Sequence, residues 1–250
     1  MELARGLYIA FEAVDGAGKT TQITLLKQWL EHEHYSVFTT REPGGTDCEI
    51  AEKIRSLILD PHNSTMLPQT EALLFAASRT QSINEIIIPH LENKEIVLSD
   101  RSVGSSLAYQ GYGRELNINA VKRINDFGME NYYPDFTFYL QIPYEEVMKR
   151  KAARGYDIDR MEASDKDFFM RSIEGFDIIA RRNSTWITID ATGDIDKTQT
   201  TIRMLMRSIF SMDKWRVKKT ATKKRAEART NKDYVHGTEG SYREENIYDD

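Results

Sequence analysis

Tyr8-Ile-Ala-Phe-Glu-Ala-Val-Asp-Gly-Ala-Gly-Lys-Thr-Thr21 is the stretch on which the reading of this chain turns. An apolar run leads into a glycine turn, and Lys19-Thr20-Thr21 then opens an amphipathic segment. That is the strand–loop–helix layout of a phosphate-binding P-loop. Backbone N–H groups of such a loop converge on phosphate oxygens, and the helix N-terminus adds its positive dipole end. Gly16, Ala17, Gly18, Lys19, Thr20 and Thr21 are the nucleotide-binding positions. Lys19 reaches the β- and γ-phosphates, and the Thr20 hydroxyl holds Mg²⁺. One position departs from G-x-x-x-x-G-K-[ST], because Ala13 stands where the pattern has glycine. If that backbone requires φ > 0, alanine costs about 1 kcal/mol.

The chain around this motif has 250 residues, enough for one α/β domain with a sizeable core. A net charge of −5 argues against indiscriminate nucleic-acid binding by the whole chain. Cys48 is the single cysteine, so no intrachain disulfide forms, which fits a reducing compartment. No apolar run approaches the roughly 20 residues of a membrane span. The first strand begins almost at the N-terminus and leaves no room for a signal peptide. A cytoplasmic enzyme without membrane association is the expectation.

Strand signals alternate with helix signals. Leu7–Ala13, Ser36–Thr40, Glu95–Ser99, Phe136–Ile142 and Thr185–Ile189 read as strands. Several are near-continuous apolar runs, as in parallel strands buried on both faces. Helical patterns cover Lys19–His32, Asp47–Leu59, Glu71–His90, Asn117–Glu130, Tyr144–Ala153, Lys166–Arg182 and Ile195–Met212. Alternating βαβ units predict an α/β fold with a five-stranded parallel sheet and helices on both faces. Ligands then sit at the carboxyl ends of the strands. Residues 1–212 form the predicted domain. From Asp213 to Lys232 the chain is rich in Lys and Arg, and from Asp233 to Asp250 it is acidic. This segment reads as a mostly disordered tail whose halves partly cancel. Nucleic-acid binding by its basic part, 213–232, is the less favoured alternative.

Four further constellations follow strand ends. Arg41-Glu-Pro-Gly-Gly-Thr46 presents an arginine that can fork onto a phosphate; alone, it reads equally well as a structural turn. Phe75 and Arg79 share a helix face at i, i+4, suited to stacking on a base and holding a polar group; a core Phe75 with a snorkelling Arg79 is the alternative. Asp100-Arg101 can orient Mg²⁺ and neutralise phosphate charge. Ser106 and Gln110, again i, i+4, can read a base edge or serve as helix caps. Lys149-Arg150 and Arg154 belong either to a solvated helix end or to a mobile lid near 150–160 whose arginines stabilise a transferring phosphoryl group.

Taken in order, these motifs resemble the thymidylate kinase family over about Leu7 to Met212. The resemblance rests on Val14-Asp-Gly-Ala-Gly-Lys-Thr-Thr21, Arg41-Glu-Pro-Gly-Gly-Thr46 and Ser105-Ser-Leu-Ala-Tyr-Gln-Gly-Tyr-Gly113. It implies a P-loop kinase fold and phosphoryl transfer from Mg-ATP to dTMP, giving dTDP and ADP. By resemblance Asp15 contacts the deoxyribose 3′-hydroxyl, Arg41 holds the dTMP phosphate, and Phe75 stacks on thymine. Arg79 bonds a thymine carbonyl, Ser106 and Gln110 read the base edge, and Arg101 lies near the acceptor phosphate. Lys19 and Thr20 serve ATP and Mg²⁺, with Asp100 a second metal position. Lid arginines Arg150 and Arg154 approach the ATP phosphates. Gly16 where the human-like type has arginine, together with the arginine-rich lid, resembles the bacterial type. A homodimer is implied by resemblance alone. Ser102 and Phe176 stand where tyrosine is common, and the 213–250 tail has no usual counterpart. The alternatives are a broader deoxynucleoside monophosphate kinase and a non-catalytic nucleotide-binding protein.

Overall fold

The computed structural model describes residues 3–153, 159–161 and 163–212. Five parallel strands are ordered β2-β3-β1-β4-β5: β1 Leu7–Glu12, β2 Val37–Arg41, β3 Ile96–Asp100, β4 Phe136–Gln141 and β5 Trp186–Asp190. Each lies within one or two residues of its predicted span. β1 occupies the centre and is buried along its whole length, which is why its sequence lacks the alternation of a half-exposed strand. Its two faces feed different cores. Leu7, Ile9 and Phe11 join the larger one with Leu26, Leu30, Phe138, Ile202 and Met206. Tyr8 packs on the other side with Ile83, Ile87, Ile88 and Val97. Phe11 meets Phe138 edge to face at 5.4 Å. Truncating either ring to alanine costs about 3–5 kcal/mol.

The helices are α1 Lys19–His32, α2 Glu49–Leu59, α3 Pro68–Ser82, α4 Ile88–Glu92, α5 Val103–Ser106, α6 Ile118–Met129, α7 Tyr144–Ala152, α8 Lys166–Arg182 and α9 Ile195–Ser211. Local chemistry sets several starts. Asp165 accepts the Phe168 N–H at 2.7 Å, Asp194 accepts that of Lys197 at 2.6 Å, and Asn117 accepts that of Ala120. The predicted single helix Glu71–His90 is instead α3, a π-helical turn at Ile83–Ile87, and α4. Pro89 is the physical reason. It has no N–H to donate to Glu85, and its ring would clash with that carbonyl, so the helix widens there. A short 3₁₀ turn, Pro61–Asn63, was not foreseen; Asp60 caps it through the His62 N–H.

In-register pairing places the functional strand ends side by side. Phe11 lies opposite Asp100, and Arg41 lies opposite Asp100 from the other side. Chains leaving β1 and β3 to either side open a crevice at the carboxyl edge, where ligands of such sheets sit. The predicted tail at 213–250 and the part of the predicted lid at 154–158, Arg154 included, lie outside the described residues.

Candidate active site

β1 ends at Glu12 and delivers the P-loop. Within it Gly16 (φ 93°) and Gly18 (φ 92°) take left-handed backbone, which glycine adopts without a Cβ clash. Ala13 is not left-handed, so the condition under which alanine would be strained there is not met. Lys19 opens α1 and is 6% exposed. Its Nζ lies 3.7 Å from both Asp15 Oδ1 and Asp100 Oδ1. Burial, with help from Arg101, lowers its pKa; Asp100, Asp15 and Glu12 oppose that shift. Thr20 Oγ1 donates to Asp100 Oδ2 at 2.7 Å, bringing the two predicted metal positions together.

Arg101 is the most constrained of the cations. Its backbone sits at φ 80°, a conformation that costs a non-glycine residue about 1–3 kcal/mol. Arg101 N–H donates to the Phe11 carbonyl at 2.9 Å, and Ser99 Oγ donates to the Arg101 carbonyl at 2.6 Å. The guanidinium donates to Asp15 at 2.6 Å, the Ala13 carbonyl at 2.7 Å and Ser105 Oγ at 2.9 Å. Burial alone would lower its pKa; Asp15 and neighbouring acidic groups outweigh that and raise it.

Glu12 stands behind this arginine, fully buried, and no motif pointed to it. Oε1 accepts the N–H groups of Ser102 (2.9 Å) and Ser105 (3.0 Å), and Oε2 accepts Ser105 Oγ–H at 2.5 Å. Desolvation raises its carboxyl pKa to about 7. The available signal was a charged residue inside the apolar run of β1.

Arg41 closes β2 and pairs with Glu52 at 2.9 Å, the arginine about half exposed and the carboxylate about a third. Arg55 on α2 donates to the Pro43 carbonyl at 2.8 Å and faces the same space. Sequence periodicity carried no signal for Arg55. Phe75 is buried in the main core, as its alternative reading held, and also lines the pocket. Arg79 does not snorkel. It is fully buried, donating to Glu42 (2.5 Å), Ser106 Oγ (2.9 Å), the Ser102 carbonyl (3.1 Å) and Asn125.

Ser106 and Gln110 both turn toward α3, Ser106 Oγ accepting from Arg79 and Gln110 Nε2 donating to Glu71. α5 ends at Ser106, and Leu107–Gly113 continues as a π-helix. Gln110 lines the pocket, whereas Ser106 stands behind Arg79. Arg150 lies against the P-loop. It donates to the Ala191 carbonyl at 2.8 Å, pairs with Glu146 at 2.7 Å and approaches the Gly16 and Ala17 carbonyls. Those acceptors hold it between the P-loop and the segment after β5. Phe176, one of the departures, is buried and stacks on Tyr139 without lining the pocket. Ser102 Oγ accepts from the Tyr8 hydroxyl at 3.3 Å.

Three compartments share walls along this edge. The outermost, about 660 Å³, lies between the P-loop, Arg150 and Ala191–Thr198. The middle one, about 270 Å³, gathers Lys19, Arg41, Arg55 and Arg101 with Asp15, Thr20 and Asp100. The innermost, about 90 Å³, is bounded by Phe75, Arg79, Tyr109, Gln110, Ser105 and Met161. The middle compartment shares Gly16, Gly18 and Thr21 with the outer one, and Asp15, Glu42, Arg55 and Arg101 with the inner one. Four cations therefore sit between two organic pockets.

A parallel sheet with its phosphate loop at the switch point, and cations between two pockets, defines a P-loop kinase fold built for two phosphorylated ligands. The family model described as thymidylate kinase matches residues 11–202. Curated relatives include the thymidylate kinases of Lactobacillus acidophilus, 45% identical over 77% of this chain and 90% of its own, and of Bacillus pumilus, 43% identical over 75% and 88%. That of a Geobacillus species is 42% identical over 77% and 92%. The chain belongs to the thymidylate kinase family.

Proposed function

We propose that this groove transfers the γ-phosphoryl group of ATP to dTMP, giving dTDP and ADP, with the middle compartment as the transfer chamber. The observation that carries the proposal is the convergence of Lys19, Arg41, Arg55 and Arg101 between two pockets. Phosphoryl transfer asks little covalent chemistry of a protein; it asks for in-line placement and neutralisation of the charge on the transferring oxygens. ATP occupies the outer compartment, its phosphates on the N–H groups of Gly16–Thr21 and on Lys19. Arg150 lines that pocket beside Gly16 and Ala17 and helps hold ATP there; the predicted lid role of Arg154 falls outside the described residues.

On the other side, Arg41 and Arg55 hold the dTMP phosphate and Arg101 draws it toward the transfer point. Asp15, fixed by Arg101, accepts the 3′-hydroxyl. Phe75 stacks on thymine, Arg79 and Gln110 meet its polar edge, and Ser106 acts through Arg79. The acceptor phosphate is already ionised at neutral pH, so the site works without a strong general base.

Thr20 Oγ1 and Asp100 Oδ2, adjacent at 2.7 Å, fit a hard octahedral cation. Among the described residues no group of three or more His, Cys, Asp or Glu forms a closed metal cage. Mg²⁺ at kinase sites is held by one or two protein oxygens together with waters and phosphate oxygens, as this pair allows. When bound, it neutralises charge on the β- and γ-phosphates.

The activity belongs to residues 1–212. A homodimer is supported by the exposed apolar side chains of α3 and α6, Leu73 and Phe127 (87% exposed), which a second copy would cover. Among the described residues no helix is long and apolar enough to cross a membrane. A cytoplasmic location is proposed from the family and its substrates. The test is an ADP-release assay with Mg-ATP and each of dTMP, dUMP, dGMP, dCMP, UMP and thymidine. Strong preference for dTMP is expected. Comparable rates across several monophosphates would refute the reading of the inner pocket, and no turnover would refute the transfer chamber.

A further inference from the structure

Glu71, on α3, is buried and does not line the middle compartment, yet four donor groups converge on it. Oε1 accepts Gln110 Nε2 at 2.9 Å and Arg114 Nε at 3.3 Å; Oε2 accepts Arg160 Nη1 at 2.7 Å and Arg114 Nη2 at 3.2 Å. A carboxylate paired to two arginines is an acceptor on both oxygens. Only the NH₂ end of the Gln110 amide can therefore face it, whichever way that amide is drawn. The carbonyl end, Gln110 Oε1, is left buried with no partner, on a residue that lines the inner compartment. An unpartnered buried acceptor beside a ligand pocket is costly unless a ligand supplies the donor.

From this geometry we infer that Glu71 is a specificity-positioning residue: it locks the Gln110 amide so that the inner pocket offers a base an acceptor and no amide donor at that point. The bases this pocket admits are those carrying an N–H on the polar edge. Thymine and uracil have N3–H there. Cytosine has an acceptor nitrogen in its place, which would face Gln110 Oε1 lone pair to lone pair. Sites that hydrogen-bond a substrate N–H reject analogues lacking it by large factors, because the buried group is then left unpaired. The discrimination therefore originates one residue behind the pocket wall. This inference rests on the proposal that the inner compartment holds the base.

The experiment compares wild type, Glu71→Gln and Gln110→Leu for kcat and KM with dTMP and dCMP. An amide at 71 both donates and accepts, so Gln110 becomes free to turn. Glu71→Gln is expected to lose roughly tenfold in kcat/KM for dTMP, mostly in KM, while dCMP improves, narrowing the dTMP-to-dCMP ratio by about 100-fold. Equal losses for both substrates, or an unchanged ratio, overturn the inference, since a merely supporting role weakens both alike. If Gln110→Leu leaves KM and the ratio unchanged, the placement of the base is what fails. If Gln110→Leu collapses the ratio and Glu71→Gln does not, only the role of Glu71 fails. Because Glu71→Gln could fail to fold, a second measurement uses the unaltered protein. Hydrogen exchange of the Gln110 side-chain amide, assigned with Gln110→Leu, should be strongly slowed without nucleotide. Exchange at the rate of a free amide refutes the lock.

Discussion

Glu12→Gln isolates the electrostatics of the buried carboxyl beneath Arg101. Burial moves this carboxyl from its ordinary 4.5 to about 7. A carboxyl whose folded pKa exceeds its unfolded value makes the folded state the better proton binder. Its contribution to stability is therefore fully present below about pH 4.5 and is lost as the pH rises through about 7. The displacement corresponds to ~3 kcal/mol between those limits. Glutamine keeps much of the geometry: its Oε1 can accept the same two N–H groups, from Ser102 and Ser105, while Nε2 donates to Ser105 Oγ. It cannot ionise. Relative to wild type, Glu12→Gln should thus gain stability steadily from pH 5 to pH 8, by up to ~3 kcal/mol, or roughly 6–12 °C in Tm for a domain of this size. Urea unfolding of both proteins at pH 5, 6, 7 and 8 checks this, and groups common to the two cancel in the difference. A difference that stays constant within about 0.5 kcal/mol across that range would mean that the Glu12 carboxyl does not titrate this way in the folded protein.

Three other outcomes follow from the same site. Lys19→Met should reduce kcat by about 10²–10³-fold without lowering Tm, because it removes a buried ammonium along with its function; a normal kcat would contradict the P-loop assignment. Arg41→Ala should raise KM for dTMP about tenfold and leave ATP affinity, measured by calorimetry, unchanged, since its partly exposed pair with Glu52 contributes little to the fold. Ala13→Gly should destabilise by about 0.5–1 kcal/mol in urea, with no gain in kcat, because the backbone there is not left-handed and glycine only loosens the unfolded chain.

Much of this was legible without coordinates, for local reasons. Leu7–Glu12 and Ile96–Asp100 are apolar enough along their length to be strands covered on both faces, and α1 and α8 begin and end where their sequence patterns do. Glycines at 16 and 18 before Lys19 admit few meanings, because left-handed backbone, a convergent set of N–H groups and a cation occur together in a phosphate loop. Other readings failed where a local rule met a nonlocal or unusual geometry. The single helix over Glu71–His90 assumed an α-helical period throughout, and the chain widens into a π-helical turn at Ile83–Ile87. A snorkelling Arg79 was the local alternative, yet Glu42 and Ser106, 37 and 27 residues away, hold its guanidinium buried.

Local chain chemistry suffices for the order of strands and helices along the chain, the phosphate loop, and the residue types available at each strand end, because periodicity and turn chemistry act over a few residues. Which of those residues meet is settled by the fold. Arg101 with Asp15, Glu12 with Ser105, and Glu71 with Gln110 and Arg160 are pairs separated by 86, 93, 39 and 89 residues. Sheet order and register bring them together, and burial then makes each partner obligatory, since a charge or amide removed from water must find its complement inside the protein.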